Sequence, residues 1–120
     1  MNSCVPNVLE DRGWCVVEDV LSKEEVMKGR DLFWGWAEKI LGMSRDDPRL
    51  LESGNWFTTL HGIIKNYGVG QSPLMWWLRE HPGVQGIFRE IWGLGENSSL
   101  LASFTGLCCV RPPEGTRRHT

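Results

Sequence analysis

The stretch that decides the fold is Leu100 to Thr120, which reads LLASFTGLCCVRPPEGTRRHT. Its first eleven residues, Leu100 to Val110, carry no charge and follow a turn-like run. This pattern predicts one long, mostly buried β-strand. Pro112 and Pro113 end the strand, because neither can donate a hydrogen bond to a β-ladder.

A buried strand of this length needs a neighbour on both edges, because unpaired N–H and C=O groups along it invite pairing with other chains. The remainder of the chain contains too few strand-like segments to supply both neighbours. We therefore expect residues 1–120 to form a single incomplete domain, truncated within a longer parent.

Composition describes an ordinary globular protein with one unusual feature. The chain has 120 residues, enough for one core, and is 41% hydrophobic and 23% charged. The seven tryptophans are unusual. We expect most of them to pack in the core, and the alternative is that some stack against a ligand.

Charge and cysteine usage exclude several classes of partner. A net charge of −2 and a pI near 5.9 argue against binding to nucleic acid or to an anionic membrane. The N-terminus lacks the pattern of a secretory signal, and no apolar run approaches membrane-spanning length, so a cytoplasmic protein is the default expectation. The four cysteines form no CxxC pair, and we expect reduced, mostly buried thiols.

Two capping signals predict the main helices. Ser22 and Glu25 form an S-x-x-E capping box, and apolar residues then recur at helical spacing from about Lys23 to Leu41, where Gly42 ends the helix. Ser72 followed by a proline predicts a second helix as far as Arg79.

The remaining elements complete an α+β pattern. We predict a short helix from Pro6 to Arg12, a brief strand from Trp14 to Val17, and a helix from Val84 to Trp92. Helices that precede a long strand, without alternating βαβ units, favour an α+β arrangement. The helices would then cover one face of a mainly antiparallel sheet.

Candidate chemistry is sparse. The chain has no GxSxG, GxGxxG, P-loop or HExxH motif. His61 is more typical of a structural histidine, His81 of a helix-boundary residue, and Glu24 with Glu25 of surface charge. His119 differs: if an aspartate followed Thr120, the pair would form the H-x-D half of a 2-His-1-carboxylate iron site.

Several segments together resemble a known family. They read DRGWCVVEDVLSKEEV, then Trp56 and the tripeptide HGI, then GVGQSPLMWWLREHPGVQGIFREIWG, and finally LLASFTGLCCVRPPEG. This succession, from about Leu9 to Gly115, resembles the N-terminal half of phytanoyl-CoA dioxygenase-like proteins. The Gly-Gln-Ser to Ile-Trp-Gly block, followed by Ser-Phe-x-Gly and Arg-Pro-Pro, is its most distinctive part.

The resemblance implies a fold, two cofactors and one metal ligand. The fold would be the N-terminal helical and first-strand portion of a double-stranded β-helix, a jelly-roll or cupin-like architecture. The parent would use Fe(II) and 2-oxoglutarate to hydroxylate a small organic substrate. His119 would be the first iron ligand and the others would lie beyond Thr120, so the fragment alone would be inactive and bind no cofactor.

The same resemblance suggests four residues for the substrate pocket. They are Trp56, His61, Ser103 and Thr105, and for the first two a packing role is the alternative. Ser103 and Thr105 would share one face of the predicted strand and Phe104 the other, and either face could line the barrel interior. Thr105 stands where these relatives carry an acidic residue, which leaves its part in the pocket chemistry open.

An alternative hypothesis for the whole chain involves no catalytic activity. The tryptophans could form the binding face of a small α+β protein-interaction module. A cooperative, self-sufficient fold would favour this alternative over an incomplete oxygenase.

Overall fold

A computed structural model describes residues 5–47, 62–104 and 106–109 of the chain. Within these ranges the chain is α+β, with four α-helices, one short 3₁₀ turn and two very short strands. In chain order the elements are α1 (Val5–Arg12), α2 (Lys23–Leu41), β1 (Ile63–Ile64), the 3₁₀ turn Val69–Gln71, α3 (Pro73–Glu80), α4 (Pro82–Ile91) and β2 (Leu107–Cys108).

Helix α2 begins and ends where its local signals predict. The Ser22 hydroxyl accepts a hydrogen bond from the Glu25 N–H at 3.1 Å, and the Glu25 carboxylate accepts one from the Ser22 N–H at 2.8 Å. Two N–H groups left free by the first turn are thereby satisfied. At the other end Gly42 adopts a left-handed conformation with φ 65°, and its N–H donates to the Ala37 carbonyl.

The other helices also follow the sequence pattern, with small shifts at their ends. The Ser72 hydroxyl caps α3 by accepting from the Met75 N–H, and a proline occupies its first turn. Helix α4 starts two residues earlier than predicted, at Pro82, because the His81 side chain serves as its N-cap. The predicted short N-terminal helix is confirmed as α1.

The β structure is much smaller than predicted. Strands β1 and β2 pair antiparallel, with Ile63 opposite Cys108 and Ile64 opposite Leu107. The Cys109 N–H extends the ladder by donating to the Gly62 carbonyl at 3.1 Å. The antiparallel sense agrees with the predicted sheet.

Two strand predictions are wrong. Residues 100–104, the first half of the predicted long strand, have no regular structure, and neither do residues 14–17. Both stretches have strand-like composition, but no neighbouring strand within the described part pairs with them. Strand propensity depends on pairing and burial as much as on residue type, so composition alone does not make a strand.

The core lies where the C-terminal half of α2 covers the β1–β2 pair. Its buried residues are Trp36, Ala37, Ile64 and Val69, and the half-buried Leu107 and Cys109 of the β2 region pack against them. The prediction that α2 covers a sheet is thus confirmed. A second contact joins α2 to α3, where Leu74 is buried.

Tryptophans and cysteines are less buried than predicted. Of the six described tryptophans, Trp36 alone is buried, whereas Trp14, Trp76 and Trp92 are exposed. None of the three described cysteines is fully buried. Partial burial raises the pKa of the Cys109 thiol, and the neighbouring Cys108 adds to the effect.

Candidate functional site

One of the five residues singled out from the sequence as metal or pocket candidates lies in the described part. Trp56, His61, Thr105 and His119 lie outside it, so the expectations about them stay predictions. Ser103 is exposed and is not on a strand. It lines a groove between α3, α4 and residues 100–103, so the alternation of strand faces no longer describes its position.

The groove is an open, mainly apolar cleft between α3, α4 and residues 100–103. Its volume is about 520 Å³. We call it the aromatic groove and define it by Trp76, Arg79, Phe88, Trp92, Leu101 and Ser103. Trp92 is 71% exposed and Leu101 is fully exposed, which is unusual for large apolar side chains in a soluble fold.

Helical spacing explains how these side chains come together. Phe88 and Trp92 are four residues apart at the C-terminal end of α4, and side chains with this spacing share one helix face. Trp76 and Arg79 are three residues apart on α3 and likewise point the same way. The irregular segment from Leu100 to Ser103 provides the third wall.

The Arg79 guanidinium lies against two aromatic rings that also contact each other, with 5.7 Å between the ring centres of Trp76 and Phe104. The guanidinium carbon is 5.4 Å from the centre of the Trp76 ring and 5.1 Å from that of Phe104, and both distances allow cation–π attraction. The Trp76 indole is fixed in turn, because its Nε1–H donates to the Gln71 side chain at 2.9 Å. One guanidinium nitrogen, Nη1, donates to the carbonyl of Gly70.

The other terminal nitrogen of Arg79 lacks a partner among the described residues. Nη2 is buried and makes no hydrogen bond, and no described carboxylate forms an ion pair with the guanidinium. A buried donor without an acceptor is costly, and the cost is higher on a charged group. Arg79 therefore brings an uncompensated positive charge to the wall of an apolar groove.

A second polar cluster joins the start of α2 to the junction of α3 and α4. His81 Nε2 lies 2.9 Å from Glu25 Oε1, while the other carboxylate oxygen of Glu25 completes the capping box with Ser22. His81 Nδ1 accepts the Gly83 N–H at 3.1 Å. Since Nδ1 acts as an acceptor, the neutral imidazole carries its proton on Nε2 and donates it to Glu25.

The cluster connects residues 56 positions apart in sequence, so it is tertiary structure and not a local turn. Glu25 lies at the surface as expected, with 41% of its side chain exposed, but it also holds His81, a contact that the sequence did not predict. The Trp77 ring meets the His81 imidazole edge to face at 5.7 Å between ring centres. We assign this contact a structural role, because both nitrogens of the imidazole already have hydrogen-bond partners.

The hydrogen bond from His81 lowers the pKa of the Glu25 carboxyl, and the Ser22 N–H adds to the effect. A carboxyl with a depressed pKa in the folded state adds stability above its unfolded pKa, near 4.3, and that stability is lost as the pH falls through the folded value. We expect Glu25→Gln, which keeps an acceptor at the cap, to unfold with a weaker pH dependence below about pH 4.3 than the wild type.

Urea midpoints at neutral pH and at several acid pH values would measure this effect. The control is Glu24→Gln, which removes the adjacent exposed carboxylate. It should retain the wild-type pH dependence. If Glu25→Gln also retained it, the role assigned to the pair of Glu25 and His81 would be wrong.

Metal ligands do not cluster in the described part of the chain. No group of three or more His, Cys, Asp and Glu side chains within residues 5–47, 62–104 and 106–109 could hold an ion. The one proposed ligand, His119, lies outside these ranges.

Comparison of the chain with protein-family models, with curated proteins and with solved structures found no match. In the described ranges no helix has both the length and the apolarity needed to cross a bilayer.

The sequence analysis did not predict the roles of two residues, Arg79 and His81. Arg79 carried a usable signal, since a cation three residues after a tryptophan on a helix lies beside its ring. His81 was correctly placed at a helix boundary, but its contact with Glu25 had no local signal. A contact between residues so far apart depends on how the helices pack.

Proposed function

We propose that this chain forms the helical layer and first strands of a non-haem Fe(II)- and 2-oxoglutarate-dependent oxygenase of the phytanoyl-CoA dioxygenase-like kind. The single observation that carries the proposal is the antiparallel pairing of β1 with β2. Strand β1 begins at the isoleucine of the HGI tripeptide, and β2 directly follows the Ser-Phe-x-Gly segment; the resemblance rests on both motifs. Adjacent antiparallel strands backed by a helix suit the start of a double-stranded β-helix.

Close packing at Gly106 gives the Ser-Phe-x-Gly motif a physical role. A methyl group added at Gly106 would overlap the Ile64 carbonyl oxygen and lie 2.8 Å from Cγ2 of Ile63. Only glycine permits β2 to lie so near β1. The motif supports the proposal because its glycine is needed where the two segments meet.

The described residues would serve the enzyme as a scaffold. No group of three candidate ligands lies among the described residues, and the proposal assigns one iron ligand, His119, within the 120 residues. Bound Fe(II) and 2-oxoglutarate would supply the oxidising chemistry, while α2 would cover the sheet that holds them. The substrate would be a small organic molecule.

The reading frame of the gene provides the most direct test. The proposal expects an aspartate codon immediately after Thr120, followed further on by a histidine and an arginine in strand-like segments. A stop codon directly after Thr120 would overturn the proposal. This test needs no assumption about how stable the 120-residue chain is.

A biochemical test follows for the complete product of that frame. Titration with Mn(II), a redox-inert substitute for Fe(II), in the presence of 2-oxoglutarate should show one site, which His119→Ala weakens by at least tenfold. Arg118→Ala removes a neighbouring side chain and should bind metal like the wild type. The proposal fails if the folded wild-type product has no metal site, or if His119→Ala leaves the affinity unchanged.

A protein-interaction module is the second candidate, and the exposure of Phe88, Trp92 and Leu101 favours it. Apolar side chains grouped on a surface mark interfaces more often than isolated ones do. A cooperative, concentration-independent melt of the 120-residue chain, together with a stop codon after Thr120, would support this module over the oxygenase.

A further inference from the structure

We propose that the aromatic groove binds a small, rigid, apolar molecule bearing a single carboxylate, which Arg79 holds. This site goes beyond the oxygenase proposal. It is formed by α3, α4 and residues 100–103, and it requires no metal. Its ligand is defined by the chemistry of the groove: an apolar body for the walls and an anion for the guanidinium.

The dimensions of the groove suit a small molecule. Its volume of about 520 Å³ falls within the range of roughly 300–1,000 Å³ found for ligand pockets. Phe88 and Trp92 offer aromatic surface on one side, and Trp76 offers it on another. A flat, rigid body gains stacking on these rings while losing little conformational freedom on binding.

The unbalanced charge of Arg79 selects an anion. Nη2 is buried without an acceptor, and the guanidinium has no ion-pair partner in the described part of the chain. A neutral ligand could offer an acceptor to this donor but would not balance the charge, and a cationic one would be repelled. A carboxylate matches the planar fork of a guanidinium and would supply the missing acceptor.

A ligand in the groove can interact with the Arg79 guanidinium although Nη2 is buried. Arg79 lines the groove, and its charge is delocalised over the whole planar group, so an anion in the groove is attracted before any hydrogen bond forms. We expect the side chain to rotate on binding and bring Nη2 to the carboxylate. Phe104, which covers the guanidinium on one side, is itself 59% exposed and can move aside.

Other charges near the groove do not cancel this attraction. Glu80 also lines the groove, but its side chain is exposed, so water and salt screen it strongly. Arg89 on α4 is already engaged, since it donates to the Ser98 carbonyl at 2.9 Å and to Gln85 at 3.0 Å. Arg79 is therefore the charge that an incoming anion meets.

Three matched probes test the proposal on the unmodified protein. They are 2-naphthoate, 2-naphthylmethanol and 2-naphthylmethylammonium, which share one aromatic body and differ in charge. Equilibrium dialysis at neutral pH without metal should show that the carboxylate binds at least about tenfold more tightly than the alcohol, the gain typical of one charge-assisted hydrogen bond. Equal binding of acid and alcohol would overturn the proposal.

A pair of arginine variants locates the charge. Arg79→Met should abolish the preference for the carboxylate, whereas Arg30→Met, which removes an exposed arginine on α2, should preserve it. If Arg79→Met kept the preference, the assignment to Arg79 would be wrong. Far-UV circular dichroism establishes that both variants are folded.

A third variant tests the apolar walls and remains informative if Arg79→Met does not fold. Trp92→Ala removes a largely exposed ring and should weaken all three probes by a similar factor, leaving their ratio unchanged. Unchanged binding in Trp92→Ala would place the ligand elsewhere and overturn the proposal. None of these binding experiments includes iron. A negative result would therefore overturn the carboxylate site without testing the oxygenase proposal.

Discussion

Replacing Gly106 by alanine should unfold the β1–β2 pair and with it the core. The added methyl group would overlap the backbone oxygen of Ile64, and a backbone atom in a ladder cannot rotate away as a side chain can. Overpacking of this kind costs about 1–3 kcal/mol and sometimes more, which is a large part of the stability of a small domain. Thermal unfolding followed by circular dichroism should show a much lower midpoint.

A glycine in open space provides the control for this substitution. Gly35 lies within α2, and a methyl group added there meets no atom within 4 Å. Gly35→Ala should therefore stabilise the protein by up to about 1 kcal/mol, because alanine has the higher helix propensity. If Gly106→Ala melted at the wild-type temperature, the close approach of β2 to β1 would be wrong.

Truncation of Ile64 to alanine is the second change expected to have a large effect. Ile64 is 1% exposed and packs between α2 and β2 with Trp36, Ala37 and Val69. Removing a buried isoleucine side chain down to alanine costs about 2–5 kcal/mol, through lost burial and the cavity left behind. A core of so few buried residues has little else to compensate. Urea unfolding should show a strongly reduced midpoint.

Truncating an isoleucine at a half-exposed position shows how much of the effect comes from burial and how much from the change of residue type. Ile40 on α2 is 47% exposed, and Ile40→Ala loses less buried surface while gaining helix propensity. We expect its urea midpoint to lie close to that of the wild type. Equal destabilisation by Ile40→Ala and Ile64→Ala would show that the core is not centred on β1.

The aromatic groove is exposed and the core is small for the same reason: many large apolar side chains of the described residues lie at the surface. Among the described residues five apolar side chains are buried, while Trp14, Trp92, Leu101 and several other large ones are exposed. Burial of apolar surface is the main favourable contribution to folding. Surface left exposed to this extent is available for a ligand, for a partner or for further β structure, as the proposals above require.

The amino-acid sequence by itself determined the helices. A capping box at Ser22 and Glu25, a Ser-Pro start at Ser72 and a left-handed glycine at Gly42 act within one or two turns of chain. Their hydrogen bonds join residues three to five positions apart, so local sequence contains all the information they need. The α+β class was predicted from the order of helices before a strand-like segment, and part of that segment is strand β2.

Only the tertiary structure decided the extent of the strands and the location of the candidate site. Residues 100–103 have strand-like composition but line a groove, because a strand also requires a paired neighbour. The contact of His81 with Glu25 and the contact of Arg79 with Phe104 likewise depend on packing between segments that are distant in sequence. Such contacts depend on the balance of burial and pairing over the whole fold, which no local pattern encodes.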